Sequence, residues 1–393
     1  MFSNKNLFIL VLAQVFSFSA GPVTVFISGI VGLHLSPLEL LATLPTSLTI
    51  VGTAIFSIIA SRIMAKIGRK LTFIISSFVS SMAALLASFA IFQEMFVLYC
   101  ATSLLIGAGI AVTHQYRFAA AEEATEGKSA NAISILLLAG ILSAFIGPNV
   151  VNLAKNMTNT LYVGSYIALS TVLIAPTLFF LFYTPNAAQS SAKSKSNQSY
   201  VQLLKNPFIL QAIVTSAFAY AIMSFLMTAT PISMHKVHGF QLGQTGIVIQ
   251  FHVVGMFLPS LITGKLINRF GHDIMIKLGC LIYLLTVVIS FFDQTFINYF
   301  IALIFLGIGW NFLFITGTDL LFKSHQLEDK FRAQGMNDFI TFTIQASASF
   351  LAGYSVLSIS WNTLNLLSIP MIMIIYFMSI YGNSRRNNYL KSV

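Results

Sequence analysis

Charge is what this sequence lacks most. Only 8% of its 393 residues are charged, whereas 56% are hydrophobic and the mean hydropathy is +0.84. Soluble domains carry roughly 25% charged residues, so the composition excludes an ordinary soluble protein. The apolar runs reach about 20 residues or more, the length at which a helix crosses a hydrocarbon core of roughly 30 Å. Lipid offers the backbone no hydrogen-bond partner, so we expect an all-α membrane protein.

Cysteine is also scarce. Cys100 and Cys280 both lie within apolar runs, where a free cysteine packs as a small hydrophobe. The pair indicates neither a disulfide framework nor a metal site, and we expect no metal and no cofactor. The sequence also contains no GxxxxGK[ST] loop, so we do not expect it to hydrolyse ATP.

We predict twelve membrane-spanning helices in two groups of six. The predicted segments of the first group cover approximately residues 7–33, 40–60, 71–92, 96–120, 130–154 and 160–183. Those of the second group cover approximately 207–233, 242–266, 274–292, 297–322, 334–358 and 363–382. Residues 186–206 are rich in Ser, Lys, Asn and Gln, which is typical of a cytosolic linker. We therefore predict an N-terminal half over 1–185 and a C-terminal half over 207–393 that ends in a short cytosolic tail.

The basic residues predict the orientation in the membrane. Of the 21 Lys and Arg residues, all except Lys155 and Lys236 fall at the termini or in and beside the loops after even-numbered segments. Lys and Arg accumulate on the cytosolic side of membrane proteins, so both termini are expected in the cytosol. Topology also accounts for the net charge of +10, and nucleic-acid binding is not expected.

The two halves repeat each other. Lys66-x-Gly68 follows segment 2, and Arg269-x-Gly271 occupies the matching place after segment 8. Gly107-x-Gly109 in segment 4 likewise matches Gly307-x-Gly309 in segment 10. Parallel six-helix repeats are typical of secondary transporters that rock around a central site. The fold prediction is therefore two six-helix pseudo-repeats.

On these residues the chain resembles the major facilitator superfamily over its whole length. The family's loop signature reads Gly-x-x-x-Asp-Arg/Lys-x-Gly-Arg/Lys-Arg/Lys. The candidate gating-loop residues that match it here are Lys66, Gly68, Arg69, Arg269 and Gly271. Ala65 and Asn268 stand where the family has an acid that helps to latch the outward-open state, so neither loop carries that acid.

Two further segments resemble a bacterial branch of the superfamily that includes riboflavin importers. They are His114-Gln-Tyr-Arg-Phe-Ala-Ala-Ala-Glu-Glu123 and Gly309-Trp-Asn-Phe-Leu-Phe. The resemblance implies a monomer in the bacterial cytoplasmic membrane that moves a small organic solute by alternating access, driven by an ion gradient that we expect to be of protons. Riboflavin or a similar planar nutrient is the leading substrate. The alternative is an exporter of drugs, metabolites or siderophores, which the partial antiporter motif at Gly147-Pro148 favours weakly.

A membrane-embedded enzyme is the interpretation from a different class. It requires catalytic His, acid or nucleophile side chains at one membrane depth. Only His114, Arg117, Glu122 and Glu123 come close, and they have no counterparts in the second repeat. We therefore do not expect an enzyme.

Arg117 lies about one turn inside the Lys/Arg-rich end of segment 4. A guanidinium is always charged and donates hydrogen bonds in a planar fork, which suits an anionic or carbonyl-bearing substrate. Pairing with Glu122 or Glu123, or snorkelling towards the interface, is the alternative. His114 lies three residues earlier on the same helical face. Both are candidate substrate-binding residues.

Further polar and aromatic side chains fall inside predicted spans. Trp310 and Tyr220 are candidates for stacking on a planar ligand, and Asn311 and Gln14 for hydrogen bonds to it. The polar residues have an alternative role, which is joining helices by hydrogen bonds. The sequence does not separate the two roles.

Three titratable residues are candidates for proton coupling: Asp319, His252 and Glu122. A carboxylate inside a helix bundle suits proton uptake and release, but Asp319 also has Lys323 four residues later as a possible ion-pair partner. His252 has an imidazole that suits titration near neutral pH, or it forms a neutral hydrogen bond between helices. For Asp338 we favour a structural role at the start of segment 11.

Overall fold

A computed structural model describes residues 4–38, 41–185, 198–355 and 360–392. All regular secondary structure in these ranges is helical. Part of the predicted linker, residues 186–197, lies outside them, as does Val393. The bounds below are those of the helices in the structure.

The first half of the chain contains eight helices. They are α1 (Lys5–Ser17), α2 (Ala20–Leu35), α3 (Leu44–Ile67), α4 (Arg69–Phe92), α5 (Phe96–His114), α6 (Tyr116–Glu122), α7 (Ser129–Ala154) and α8 (Val163–Leu181). The later helices are α9 (Tyr200–Lys205), α10 (Pro207–Ile232), α11 (Leu242–Phe257), α12 (Ser260–Phe270), α13 (His272–Ser290), α14 (Phe296–Ser324), α15 (Lys330–Ser355) and α16 (Trp361–Ser392). A π-helical turn, Ser233–Val237, follows α10, and a 3₁₀ turn, Leu327–Asp329, precedes α15.

Eleven helical stretches in the described ranges are long and apolar enough to span a membrane. The prediction of an all-α, multi-pass membrane protein is confirmed, but the count of twelve spans is not matched. The predicted eleventh span is present as α15, which is helical but too polar to be counted. Its first half includes Lys330, Arg332 and Asp338.

Three predicted segments are interrupted. Segment 1 divides into α1 and α2 after Ser17, and segment 8 divides into α11 and α12 at Leu258 and Pro259. Proline has no N–H to donate to the carbonyl four residues earlier. Pro22 therefore leaves the Phe18 carbonyl without its usual partner, at the point where segment 1 breaks. Segment 4 divides at Gln115, between α5 and α6.

The described chain forms two compact units. Unit 1 comprises residues 1–124, 135–196 and 327–339, and unit 2 comprises residues 125–134, 197–326 and 340–393. Helix α7 thus begins in unit 2 and continues in unit 1, and α15 begins in unit 1 and continues in unit 2. Each unit is described by itself.

In unit 1, glycines bring α3 and α5 into backbone contact. A Cβ atom on Gly107 would lie 2.2 Å from the Thr49 carbonyl oxygen, and one on Gly52 would lie 2.3 Å from that of Leu104. The Thr53 hydroxyl donates to the Gly107 carbonyl oxygen at 3.2 Å. Small residues permit such close approach in membranes, where dispersion contacts drive helix association.

Unit 2 uses the same arrangement where α11 crosses α14. A Cβ atom on Gly307 would lie 2.5 Å from the His252 carbonyl oxygen, and one on Gly255 would lie 2.8 Å from that of Ile304. Gly107 and Gly307 are the two residues that the sequence repeat equates. The repeated sequence therefore corresponds to repeated helix packing.

Candidate functional site

A group of aromatic side chains surrounds Trp310 in unit 2. The Trp310 ring stacks on that of Phe314, with centroids 4.8 Å apart and an interplanar angle of 19°. Tyr220 on α10 meets both rings edge-on, at 5.2 Å and 5.0 Å. Trp310 is only 1% exposed, and its Nε1 has no hydrogen-bond partner among the described residues. The structure therefore brings together two predicted substrate residues, Trp310 and Tyr220, beside a buried donor.

Asn311 lies next to this group but makes all its hydrogen bonds to protein. Its Nδ2 donates to the Met256 carbonyl and to the Ser260 hydroxyl, each at 2.7 Å. Its Oδ1 accepts from the Thr263 hydroxyl at 2.7 Å. These bonds bridge α14 to the break between α11 and α12. In this conformation the amide serves the helix-joining role.

His252 and Gln14 are buried, and each has one polar side-chain atom without a hydrogen-bond partner among the described residues. The His252 Nδ1 lies 2.8 Å from the Leu303 carbonyl oxygen. Because a carbonyl only accepts, Nδ1 carries the hydrogen, and Nε2 of the neutral ring is a bare acceptor. In the described parts of the chain, neither that Nε2 nor the Gln14 Oε1 has a hydrogen-bond partner. Gln14 belongs to unit 1 and His252 to unit 2.

Arg117 in unit 1 forms a buried ion pair with Asp338. Its Nη2 contacts Asp338 Oδ1, and its Nη1 donates to the His114 carbonyl at 2.9 Å. The Gln115 side chain donates to the other Asp338 oxygen at 2.7 Å. Arg117 and Asp338 are 1% and 0% exposed. The His114 ring meets Phe18 edge-on at 5.8 Å.

The sequence offered Glu122 or Glu123 as alternative partners of Arg117, but Arg117 pairs with Asp338, and Glu122 has other cationic partners. Arg69 binds the Glu122 carboxylate with two nitrogens, at 2.9 Å and 2.7 Å, and the Lys330 ammonium lies 3.4 Å from it. Arg69 also donates to Gln334 at 2.8 Å. Two cations on one carboxylate favour its ionised form.

A second carboxylate cluster, the Asp319 cluster, lies in unit 2. Asp319 is fully buried, and its Oδ2 accepts from Lys323 at 2.7 Å and from His272 at 2.8 Å. Its Oδ1 accepts from the Ser129 hydroxyl at the start of α7. The alternative pairing of Asp319 with Lys323 is therefore present, together with two contacts that the sequence did not predict.

The two candidate gating loops have matching backbone geometry. Gly68 has φ 82° and ψ 167°, and Gly271 has φ 79° and ψ 170°. Each residue ends one helix and precedes the next in a conformation that glycine adopts without strain. Lys66 and Arg269 are exposed beside these turns. The matched turns place Arg69 and His272 at equivalent positions.

Sequence reasoning missed several members of these clusters. Ser129, His272 and Lys330 were not singled out as candidate functional residues, although each contacts Asp319 or Glu122. A signal for His272 existed, because it follows Gly271 as Arg69 follows Gly68. No comparable signal marked Ser129, whose partner lies 190 residues away.

Comparisons with known proteins agree with this architecture. The Major Facilitator Superfamily model matches residues 7–353. Over 376 residues the chain is 34% identical to the riboflavin transporter RfnT of Brucella anthropi, covering 95% of this chain and 94% of that protein. It is 29% identical to the uncharacterized MFS-type transporter YddS of Bacillus subtilis, covering 96% and 92%.

Solved structures share the fold. The crystal structure of the MFS transporter FucP in the outward conformation superposes with a TM-score of 0.76 at 16% identity, covering 95% of this chain and 98% of that one. The family and the named relatives are transporters, which agrees with a multi-pass membrane protein that moves small molecules. The resemblance found in the sequence is therefore confirmed. This chain belongs to the Major Facilitator Superfamily.

Proposed function

We propose that this chain imports riboflavin, or a similar planar nutrient, across the bacterial cytoplasmic membrane by proton-coupled alternating access. The observation that carries the proposal is the Trp310, Phe314 and Tyr220 aromatic group with the unpartnered Trp310 Nε1. Aromatic faces stack on flat conjugated ligands, and the indole N–H can donate to a ligand acceptor. Similarity to a named riboflavin transporter supports the same substrate class.

The remaining predicted substrate contacts, Gln14, His114, Arg117 and Asn311, stay within the proposal. The Gln14 Oε1 makes no hydrogen bond to the described residues, which supports its role most directly. Arg117 and Asn311 would have to exchange present protein partners for substrate. In an alternating-access cycle, the halves over 1–185 and 207–393 would supply that rearrangement.

Proton coupling is proposed to use Asp319 and His252. Asp319 has three partners that could rearrange around a titrating cluster. His252 offers a bare Nε2 in a buried position. Glu122 is held by two cations, and this favours a structural role over proton exchange.

Replacing Trp310 with Ala is expected to weaken riboflavin binding about fivefold, because about 1 kcal/mol of stacking is lost. Titration of purified protein, followed by quenching of flavin fluorescence, measures the dissociation constant. Trp361→Ala is the matched control, since Trp361 is the only other tryptophan and packs on Tyr299 instead. Arg117→Lys should change the constant far less than Trp310→Ala. If wild type and a folded Trp310→Ala variant bind riboflavin with equal affinity, this aromatic group is not part of the binding site.

Both termini are proposed to face the cytosol, together with residues 186–206. The asymmetry of Lys and Arg supports this orientation. A reporter that is active only in the periplasm should stay silent when fused after Val393. The same reporter inserted beside Lys155, in the loop with few basic residues, should be active. The reverse pattern would overturn the orientation.

A further inference from the structure

A cavity of about 320 Å³ lies at one end of unit 1. It is bounded by the last residues of α2, by the turn after α4 and by the turn before α8. Sites for small organic ligands begin at about 300 Å³, so the volume suits one compact ligand group. The aromatic group around Trp310 belongs to unit 2, and this cavity is therefore a separate candidate site.

The walls of the cavity are apolar. Val31 and Ile91 are buried members of the hydrophobic core of unit 1. Ile30, Leu33 and Leu161 form the rim and are each about half exposed. Helices α4 and α8 are long and apolar enough to span a membrane, and the cavity lies where α4 ends and α8 begins. Span ends lie at the level of the lipid headgroups, so this rim meets lipid.

Glu94, His34 and Tyr162 bring polar groups to this apolar site. Glu94 and His34 are exposed, and Tyr162 is half-buried. A carboxylate binds an ammonium through charge-assisted hydrogen bonds, and an aromatic face binds it through a cation–π contact. An imidazole ring has an N–H in either protonation state, and it can donate that hydrogen to a phosphate oxygen. The lining therefore complements a headgroup that carries both an ammonium and a phosphate.

The backbone is strained at two of these residues. Among the described residues, Glu94 and Tyr162 are the two non-glycine residues with positive φ, at 55° and 68°. Glu94 closes a Schellman motif at the end of α4: its N–H donates to the Ile91 carbonyl at 3.2 Å, and the Met95 N–H donates to the Ala90 carbonyl at 2.8 Å. Glycine adopts this conformation without strain and usually occupies the position. The turn therefore does not need a carboxylate, which points to a role for the side chain in the cavity.

The charges of the connecting segments disfavour an anionic lipid. The segments that join α2 to α3, α4 to α5 and α7 to α8 contain two acids and one basic residue, Lys155. Anionic headgroups are bound by clusters of Lys and Arg. A zwitterionic headgroup has an ammonium that the Glu94 carboxylate attracts, and it is the better match.

We propose that this cavity binds a phospholipid whose headgroup carries a primary ammonium, as in phosphatidylethanolamine. The ammonium binds the Glu94 carboxylate and the Tyr162 ring, and the phosphate accepts a hydrogen bond from His34. An acyl chain packs along Ile30 and Leu33. The site does not involve the transported solute, so this inference goes beyond the proposed function and does not depend on it.

Thiol labelling in lipid nanodiscs tests the proposal. The native Cys100 and Cys280 are buried, so Leu33→Cys introduces an accessible thiol at the rim of the cavity. With phosphatidylethanolamine present, this thiol should react with a membrane-permeant maleimide about fivefold more slowly than in phosphatidylglycerol alone, the effect of one partly exposed ion pair. Leu153→Cys, at an exposed position outside the cavity lining, should react at the same rate in both.

Variants of Glu94 in the Leu33→Cys protein assign the effect to the carboxylate. Glu94→Gln should raise the labelling rate in phosphatidylethanolamine about fivefold. Glu94→Gly should do the same without lowering the unfolding temperature, because glycine suits the turn. Asp293→Asn, at an exposed acid after α13, is the matched control and should leave the rate unchanged. Slow labelling that persists in Glu94→Gln would overturn the proposal; if that variant does not fold, Glu94→Gly decides in the same way.

Soluble phosphoethanolamine separates the headgroup from the lipid. It has no acyl chain to pack along the rim, so its addition to phosphatidylglycerol nanodiscs should leave the Leu33→Cys thiol reactive. Protection by phosphoethanolamine equal to that by phosphatidylethanolamine would overturn the assignment of a lipid to the cavity. Protection by phosphatidylglycerol equal to that by phosphatidylethanolamine would overturn the role of the ammonium.

Discussion

Asp338→Ala is expected to lower the free energy of unfolding by about 3–5 kcal/mol, because it leaves the buried Arg117 charge without its carboxylate. Arg117 and Asp338 are 1% and 0% exposed, so solvent cannot replace the lost partner. Gln115 would also lose its acceptor. Thermal unfolding of the purified protein in detergent, followed through tryptophan fluorescence, measures the loss. Asp293→Ala, at an exposed acid, should leave the transition unchanged.

A double variant separates the pair from general damage at this site. In Arg117→Met with Asp338→Ala, no buried charge is left unpaired, and replacement of buried ion pairs by apolar groups is often neutral or stabilising. The double variant should therefore unfold at a higher temperature than Asp338→Ala alone. A single variant as stable as wild type would show that Arg117 finds another anion. A double variant less stable than either single variant would show that the pair is not the cause.

Asp319→Asn is expected to abolish accumulation of substrate against its gradient while binding and energy-independent exchange persist. The substitution keeps the size of the side chain but removes the charge that His272 and Lys323 share. One proton crossing about 100 mV supplies about 2.3 kcal/mol, which corresponds to roughly 50-fold accumulation. Without coupling, the internal concentration should only equal the external one.

Vesicle uptake with an imposed proton gradient measures this ratio, and counterflow measures exchange. Lys323→Gln is the comparison variant, since it removes the half-exposed cation and leaves the carboxylate. It should accumulate substrate. Undiminished uphill transport by a folded Asp319→Asn protein would assign Asp319 to structural pairing alone.

Apolar patterning was sufficient to predict the helices, but it could not predict every break or pairing. An apolar run has the same composition whether its helix is continuous or interrupted, so the sequence did not predict the break at Gln115. Pro22 and Pro259 are breakers of the kind that sequence does reveal. The polar residues of α15 lower its hydropathy without changing its helical state.

The candidate site was predictable only in part, because the ion-pair partner of a buried charge can lie far away in the sequence. Trp310 and Tyr220 were singled out by type and by position within spans, and they are in contact. For Arg117 the sequence offered an acid close in the chain as the alternative to a substrate, yet its ion-pair partner lies 221 residues away. The Glu122 carboxylate pairs with Arg69 and Lys330 instead. Local spacing indicates which residues can meet, but not which competing partner prevails.

Each compact unit includes a short segment from the other half of the chain. Residues 327–339 are encoded with the second half, but they complete unit 1, where Lys330 contacts Glu122 and Asp338 contacts Arg117. Residues 125–134 are encoded with the first half and complete unit 2 through Ser129. A cut within 186–206 would therefore leave neither fragment with all the residues of one compact unit.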